Sequence, residues 1–131
     1  MKEKEREPIQ VNGEIEKSYK HLIAEIIEYI PNAILSRTII KKLTGNITAM
    51  SFDSGEEVGE QIVPFDNYIQ IIDGEATITI NRIEHHLVLG NGIVIPAHHS
   101  HSFNAKEQFK MILTIIKSGY DGHSVYPALL A

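Results

Sequence analysis

The sequence predicts an all-β domain of the jelly-roll barrel type, preceded by one amphipathic helix. Beyond residue 33, short runs rich in β-branched residues alternate with turn signals such as Ser54-Gly55 and Asp73-Gly74. About nine such runs at regular spacing, with almost no helical periodicity between them, are typical of a closed double sheet. A length of 131 residues fits one domain. We place it at 14–131, after an N-terminal arm at 1–13.

The N-terminal region divides into that arm and the predicted helix. Residues 1–13 combine charges of both signs with Pro8 and Gly13, which predicts a mobile segment. Residues 16–29 are predicted to form the helix, which ends before Pro31. Its apolar side chains are spaced three and four apart, as on one helical face. They are Tyr19, Leu22, Ile23, Ile26 and Ile27.

The predicted strands follow in order and account for most of the remaining chain. Residues 76–80 alternate Ala, Thr, Ile, Thr, Ile, as a half-buried strand should. The other runs are rich in isoleucine, valine and threonine and are bounded by turn residues. The predicted strands are 34–43, 47–52, 58–63, 68–72, 76–80, 83–89, 92–95, 101–104 and 109–116.

Composition excludes several kinds of protein. The chain has no cysteine, so no disulfide framework or thiolate site is expected. A formal charge of −5 with scattered basic residues argues against nucleic-acid binding. No leading apolar segment and no run of eighteen apolar residues occurs. We therefore expect a cytoplasmic protein that binds neither nucleic acid nor a membrane.

Residues 90–105, GNGIVIPAHHSHSFNA, contain a glycine, a proline six residues later and a histidine five beyond that. Gly55 and Gly74 have the spacing of the two ends of a matching first motif. On these residues the chain resembles the cupin superfamily across positions 53–116. The resemblance implies a double-stranded β-helix, which is the cupin form of the jelly-roll barrel.

The resemblance also implies a divalent metal, held by two histidines and a glutamate from the first motif and one histidine from the second. Here Gln61, Val63 and Asn67 stand at the first three positions, and only His101 matches. If residues 99–101 are extended, His99 and His101 point to the same face. A metal site would then use His101, His99 and Gln61 to bind iron, nickel, zinc or manganese. These ligands carry no negative charge, so the expected affinity is low. The alternative interpretation is a polar, hydrogen-bonded pocket floor.

Strand alternation gives a set of candidate pocket residues on one face of the barrel wall. A mostly apolar lining with a few polar groups is typical of a small-molecule site, although it is equally typical of a plain core. The candidates are Gln61, Val63, Tyr68, Gln70, His101 and Phe103.

The sequence thus predicts a small barrel protein that binds a small organic ligand without a complete metal site. The alternative is a metal-dependent enzyme of the dioxygenase, isomerase or decarboxylase type, with an altered ligand set around His101. A third alternative is a regulatory domain acting through another protein. No catalytic residue is assigned. We also expect a homodimer, because the run 34–40 and the predicted helix leave apolar surface to cover.

Overall fold

The computed structural model describes residues 7–11 and 13–120, and ten β-strands make up most of this part of the chain. The nine predicted strands are confirmed, with ends within two residues of those expected. The strands are β1 (Ile9–Gln10), β2 (Ile34–Lys42), β3 (Gly45–Phe52), β4 (Glu57–Gln61), β5 (Asp66–Gly74), β6 (Ala76–Ile80), β7 (Ile83–Leu87), β8 (Gly92–Ile95), β9 (His101–Asn104) and β10 (Phe109–Ile116).

The strands form two sheets. One sheet has six strands in the order β1-β2-β3-β10-β5-β8, and the other has four in the order β4-β9-β6-β7. All pairs are antiparallel except β1 with β2. Within the described residues neither sheet closes on itself, so the prediction of a closed barrel is wrong in that respect. The jelly-roll strands instead form two open sheets that pack face to face.

The main core lies between the two sheets. Strand β5 shows how side chains enter it: Asn67, Ile69 and Ile71 are buried, whereas Tyr68 and Gln70 between them are exposed. The core takes its side chains from both sheets. Its largest contacts are aromatic, with Phe52 stacked on Phe109 at 4.5 Å between ring centroids and lying 6.0 Å from Phe103. Aromatic stacking therefore fills the interior of this end of the molecule.

A second cluster covers the outer face of the six-stranded sheet, where Ile26 and Ile27 pack on Leu35, Ala49 and Ile112. The prediction of a helix at 16–29 is wrong. The segment has only one turn of 3₁₀ helix, Ile23–Glu25. Three of its apolar side chains are exposed instead of forming a buried face, namely Tyr19, Leu22 and Ile23.

Side chains of the sheet explain why this segment is not helical, because they bind the carbonyls that a helix would use internally. Lys110 Nζ donates to the Ala24 carbonyl at 2.5 Å. An Arg37 nitrogen donates to the Ile26 carbonyl at 2.9 Å, and Ser51 Oγ donates to the Glu28 carbonyl at 2.7 Å. We call residues 24–29 the N-terminal strap. Burial of Ile26 and Ile27 contributes roughly 1.5–3 kcal/mol each to holding it.

Tyr29 completes the attachment of the strap. Its hydroxyl donates to Asp73 Oδ2 at 2.5 Å, and Lys110 Nζ lies 4.8 Å from its ring centroid. Burial raises the pKa of Tyr29 well above its usual value, and the hydrogen bond to the Asp73 carboxylate and its negative charge raise it further. The phenol therefore stays protonated across the whole neutral range.

The connections agree with the predicted turn chemistry. Gly74, where β5 turns into β6, has a φ of +74°, and a Cβ there would lie 2.2 Å from the Gln108 carbonyl oxygen. Part of the predicted arm is ordered, since Ile9 and Gln10 form β1. Residues 1–6 and 12 of the arm lie outside the described residues. No helix in the described part of the chain is long and apolar enough to cross a membrane.

Candidate functional site

The candidate site lies at one end of the space between the sheets, which we call the mouth. Strands β4, β6 and β8 end there, at Gln61, Ile80 and Ile95. Strand β9 begins there at His101, which pairs with both Gln61 and Ile80. On the facing sheet, Asn67 pairs with Ile95. The topology thus places His101 and Asn67 on the inner faces of opposite sheets, at the same end of the molecule.

His101 is the buried histidine of the mouth, with 3% of its surface exposed. Its Nδ1 lies 3.2 Å from the His99 carbonyl oxygen. Because a carbonyl only accepts hydrogen bonds, the Nδ1–H tautomer of the ring fits this contact, and that tautomer has its acceptor at Nε2. The ring meets Phe103 edge-on at 5.9 Å, above the aromatic core. His101 therefore presents one acceptor in a fixed orientation.

Asn67 is the second polar side chain of the mouth, and it is 6% exposed. Its Oδ1 is buried and has no hydrogen-bond partner among the described residues. Leaving a buried amide oxygen unpaired costs about 1–3 kcal/mol, so few such atoms occur in folded proteins. A buried acceptor of this kind is available to a partner from outside the described residues.

His99 does not join His101. His98 has a φ of +69°, so the chain turns just before residues 99–101, and regular strand structure begins only at His101. Asn81 Oδ1 accepts the Ser100 N–H, which directs the Asn81 amide nitrogen to His99 Nδ1 at 2.9 Å. The His99 lone pair at Nδ1 is thus already used. The expectation that both imidazoles point to one face assumed strand structure over 99–101, whereas β9 begins at His101.

The other predicted pocket residues separate into two groups. Phe103 is buried next to His101, Val63 is half-buried, and Gln61 is exposed in register with His101. Tyr68 and Gln70 lie on the outer face of the six-stranded sheet, and their assignment to the barrel interior is wrong. Alternation holds only within one strand, and residues 62–65 between β4 and β5 break the count.

Sequence reasoning left Asn67 out of the pocket although two signals pointed to it. It stands at a position where the resemblance places a ligand, and it alternates with Ile69 and Ile71, which are both buried. Counting from these two isoleucines, and not across the loop from Val63, would have placed Asn67 inside and Tyr68 outside.

The residues of the mouth do not fit a divalent transition metal. Such a site needs three or four nitrogen, sulfur or carboxylate ligands. The mouth offers the Nε2 of His101 and the neutral amides of Asn67 and Gln61. Within the described ranges, no group of three or more histidine, cysteine, aspartate or glutamate side chains could hold a metal ion. The arrangement is better suited to accept hydrogen bonds from an organic molecule.

Two stacked antiparallel sheets, with a histidine on the first residue of the strand after the Gly90 to Pro96 segment, define a protein of the cupin fold class. A conserved protein of unknown function from Streptococcus pyogenes is 30% identical, with a TM-score of 0.77, and the match covers 87% of this chain and 97% of that one. A cupin superfamily protein from Desulfitobacterium hafniense is 29% identical, with a TM-score of 0.74, over 79% and 94% of the two chains.

A third solved structure, a cupin 2 conserved barrel domain protein from Leptotrichia buccalis, is 30% identical with a TM-score of 0.69. That match covers 72% of this chain and 46% of the other. No family model matches the sequence, and no curated protein matches it. The chain belongs to the cupin superfamily, as its second motif predicts.

Proposed function

We propose that this cupin binds a small organic ligand at the mouth of the sandwich, without a complete metal site. The observation that carries the proposal is the buried Oδ1 of Asn67, which has no hydrogen-bond partner within residues 7–11 and 13–120. An unsatisfied amide in the interior lowers the stability of a fold. Such a loss is tolerated at ligand-binding sites, because the amide can form a hydrogen bond with the ligand there.

The polar groups of the mouth indicate the ligand's chemistry. Asn67 Oδ1 can accept a hydrogen bond, and Nε2 of the Nδ1–H tautomer of His101 can accept another. Their surroundings are apolar, with Ile95 at 0% and Ile80 at 8% exposure. The matching ligand is largely apolar and carries a hydroxyl or amino group that donates to one or both acceptors.

Thermal-shift screening of small hydroxyl- and amino-bearing metabolites tests the proposal. We expect at least one compound to raise the melting temperature of the wild type and to leave the melting temperature of Asn67→Leu unchanged. Compounds that stabilise both proteins equally would place binding elsewhere and contradict the proposal.

Metal content separates this function from the metal-enzyme alternative. We expect well under one equivalent of iron, nickel, zinc or manganese in tag-free protein incubated with each ion. One equivalent of a single metal that is lost in His101→Ala would favour the enzyme and overturn our proposal.

We also propose that the chain forms a homodimer, through a surface other than the one the sequence suggested. Of the run 34–40, Ile34 and Leu35 are buried within the same chain. An exposed apolar group formed by Tyr68, Val94 and Ile116 lies on the outer face of the six-stranded sheet beyond the strap. A second copy is the occupant that this face suits best, as the charges along its edges indicate.

Those charges lie on the two sides of the patch. Ile116 pairs with both Asp66 on β5 and Gly45 on β3, and Gly45 pairs with Lys42 on β2. A basic and an acidic side chain therefore lie on opposite sides of Ile116. A two-fold axis parallel to β10 would bring the β2 side of one copy over the β5 and β8 side of the other. Lys42 of each copy would then approach Asp66 of its partner.

A further inference from the structure

The outer face of the four-stranded sheet has a polar groove that the proposed function does not use. Its volume is about 260 Å³. Side chains of all four strands line it, and they share short hydroxyl or amide groups in the middle and carboxylates at the sides. The hydroxyl and amide residues are Thr77, Thr79, Ser102 and Asn104, and the carboxylates are Glu57, Glu60 and Glu84.

The sheet register arranges these groups in a row across the strands. Ser102 on β9 pairs with Thr79 on β6, which pairs with Glu84 on β7. At the other end of the row lies Glu60, on β4 next to the β-bulge that separates Val58 from Gln61. The row reads carboxylate, hydroxyl, hydroxyl, carboxylate. Because β4 and β7 are three strand spacings apart, the Cα atoms of the two glutamates are separated by roughly 14 Å.

Thr77 supplies an observation that is independent of the acidic side chains. It lines the groove beside Thr79 yet is only 8% exposed. Its hydroxyl makes no hydrogen bond with any other described residue. The Thr77 side chain is nearly buried, but its hydroxyl keeps contact with the groove and has no partner among the described residues, so it is available to a bound molecule.

The geometry points to a linear aliphatic polyamine as the ligand. With Cα atoms roughly 14 Å apart, Glu60 and Glu84 flank the row of hydroxyls and do not converge on one point, as the oxygen ligands of a metal ion must, since these lie within about 2.6 Å of it. The two glutamates can each bind one end of an extended molecule that carries an ammonium group at both ends. The threonine and serine hydroxyls between them can accept hydrogen bonds from the central amine.

The remaining charged residues fix where the ligand lies. Lys106 also lines the groove, beyond Asn104 at the Glu57 end, and it disfavours an ammonium group there. His86 on the same face is paired with Glu75 at 2.9 Å, outside the groove. The row between Glu60 and Glu84 is therefore the place for the polyamine.

Nuclear magnetic resonance titration of the full ¹⁵N-labelled chain with spermidine tests this inference. We expect saturable shifts of the amide signals of Thr77, Thr79 and Ser102. N-butylamine, which has a single ammonium group, should produce much smaller shifts at equal ionic strength. Glu84→Gln should weaken spermidine binding by about threefold, the size expected for one partly exposed ion pair.

Glu107→Gln is the matched control, because it removes one exposed carboxylate outside the groove. It should leave the affinity unchanged. Thr77→Val keeps the shape and the strand preference of the residue, and it should weaken binding in a folded protein. Shifts spread over the whole acidic surface, or equal affinities of Glu84→Gln and Glu107→Gln, would overturn the inference. The mouth lies on the other face of this sheet, so failure here leaves the proposed function standing.

Discussion

Asn67 shows how one residue can link stability and function. Its side chain is held between the sheets by strand alternation, while its Oδ1 has no partner among the described residues. The sheet would accept an apolar residue at this position, since Ile69 and Ile71 occupy the equivalent positions further along the strand. The Asn67 amide therefore lowers the stability of the ligand-free fold and offers a hydrogen-bond acceptor to a ligand.

We predict that Asn67→Leu raises the free energy of unfolding by about 1 kcal/mol, because it removes a buried unpaired acceptor and adds apolar contact. Urea unfolding of the two proteins measures the difference. Gln70→Leu, at an exposed position of the same strand, is the control and should change stability by less than about 0.5 kcal/mol. A less stable Asn67→Leu protein would show that the amide is satisfied in solution.

Tyr29 gives a prediction in alkaline solution. Its pKa is raised in the folded chain, first by burial and then by Asp73. Above the ordinary tyrosine pKa of about 10, the unfolded chain loses the proton while the folded chain keeps it. The unfolded state then binds fewer protons, so stability falls as pH rises. The contribution of Tyr29 is complete below about pH 10 and is progressively lost above it.

Tyr29→Phe should therefore be less stable than the wild type at neutral pH and should show a shallower loss of stability between pH 9 and 11. Thermal melts across that range measure the slope. Tyr19→Phe, at an exposed position, should keep the wild-type slope. Identical slopes for the wild type and Tyr29→Phe would mean that the Tyr29 hydroxyl is not held by Asp73.

At the scale of elements, the strap depends on hydrogen bonds from the sheet as much as on apolar contact. Ser51 is 1% exposed, and its hydroxyl donates a hydrogen bond to the Glu28 carbonyl. We predict that Ser51→Ala lowers the free energy of unfolding by about 1–2 kcal/mol, because the carbonyl is left unpaired. Ser54→Ala, on an exposed turn, is the matched control. Chemical unfolding that gives equal values for both variants would contradict this account.

The strands could be predicted from the sequence and the strap could not, for a physical reason. Strand signals are local, since period-2 alternation and turn residues such as Gly74 act within a few residues. The apolar spacing at 16–29 is also a local signal, and it matches a helix. The carbonyls of Ala24, Ile26 and Glu28, however, accept hydrogen bonds from residues far along the chain, namely Lys110, Arg37 and Ser51. Such long-range partners override local preference and leave no periodic pattern.

The candidate site could likewise be predicted only in part. His101 could be placed by its motif because Pro96 and Gly90 fix the local chain. Asn67 could be placed only by the correct strand parity, which the loop before β5 hides. The partnership of His99 with Asn81 depends on the β6–β7 turn meeting the loop before β9, and no sequence spacing indicates it.

At the scale of the whole molecule, the two outer faces have opposite chemistry. The four-stranded sheet presents hydroxyls and carboxylates, which favour small hydrophilic ligands. The six-stranded sheet is covered by the strap over one part and is left apolar over the rest, where Tyr68, Val94 and Ile116 are 42–56% exposed. A chain with both faces has one side suited to water and one suited to a partner.

We therefore predict a dimer that Tyr68→Glu dissociates. Light scattering coupled to size-exclusion chromatography should give the wild type a mass twice the 14.7 kDa of one chain. Burying a carboxylate at Tyr68 against an apolar partner surface costs more than the contact returns, so the variant should elute as a monomer. Gln108→Glu adds the same charge at an exposed position outside the patch and should remain dimeric.

A wild type that stays monomeric at millimolar concentration would exclude this surface as a stable self-interface. A variant that remains dimeric would place the interface elsewhere. If Tyr68→Glu dissociates and Gln108→Glu does not, the interface is the outer face of the six-stranded sheet. His101 and Asn67 lie on the inner side of the sheets, so both mouths of such a dimer remain open. Ligand binding at the mouth should then be the same in monomer and dimer.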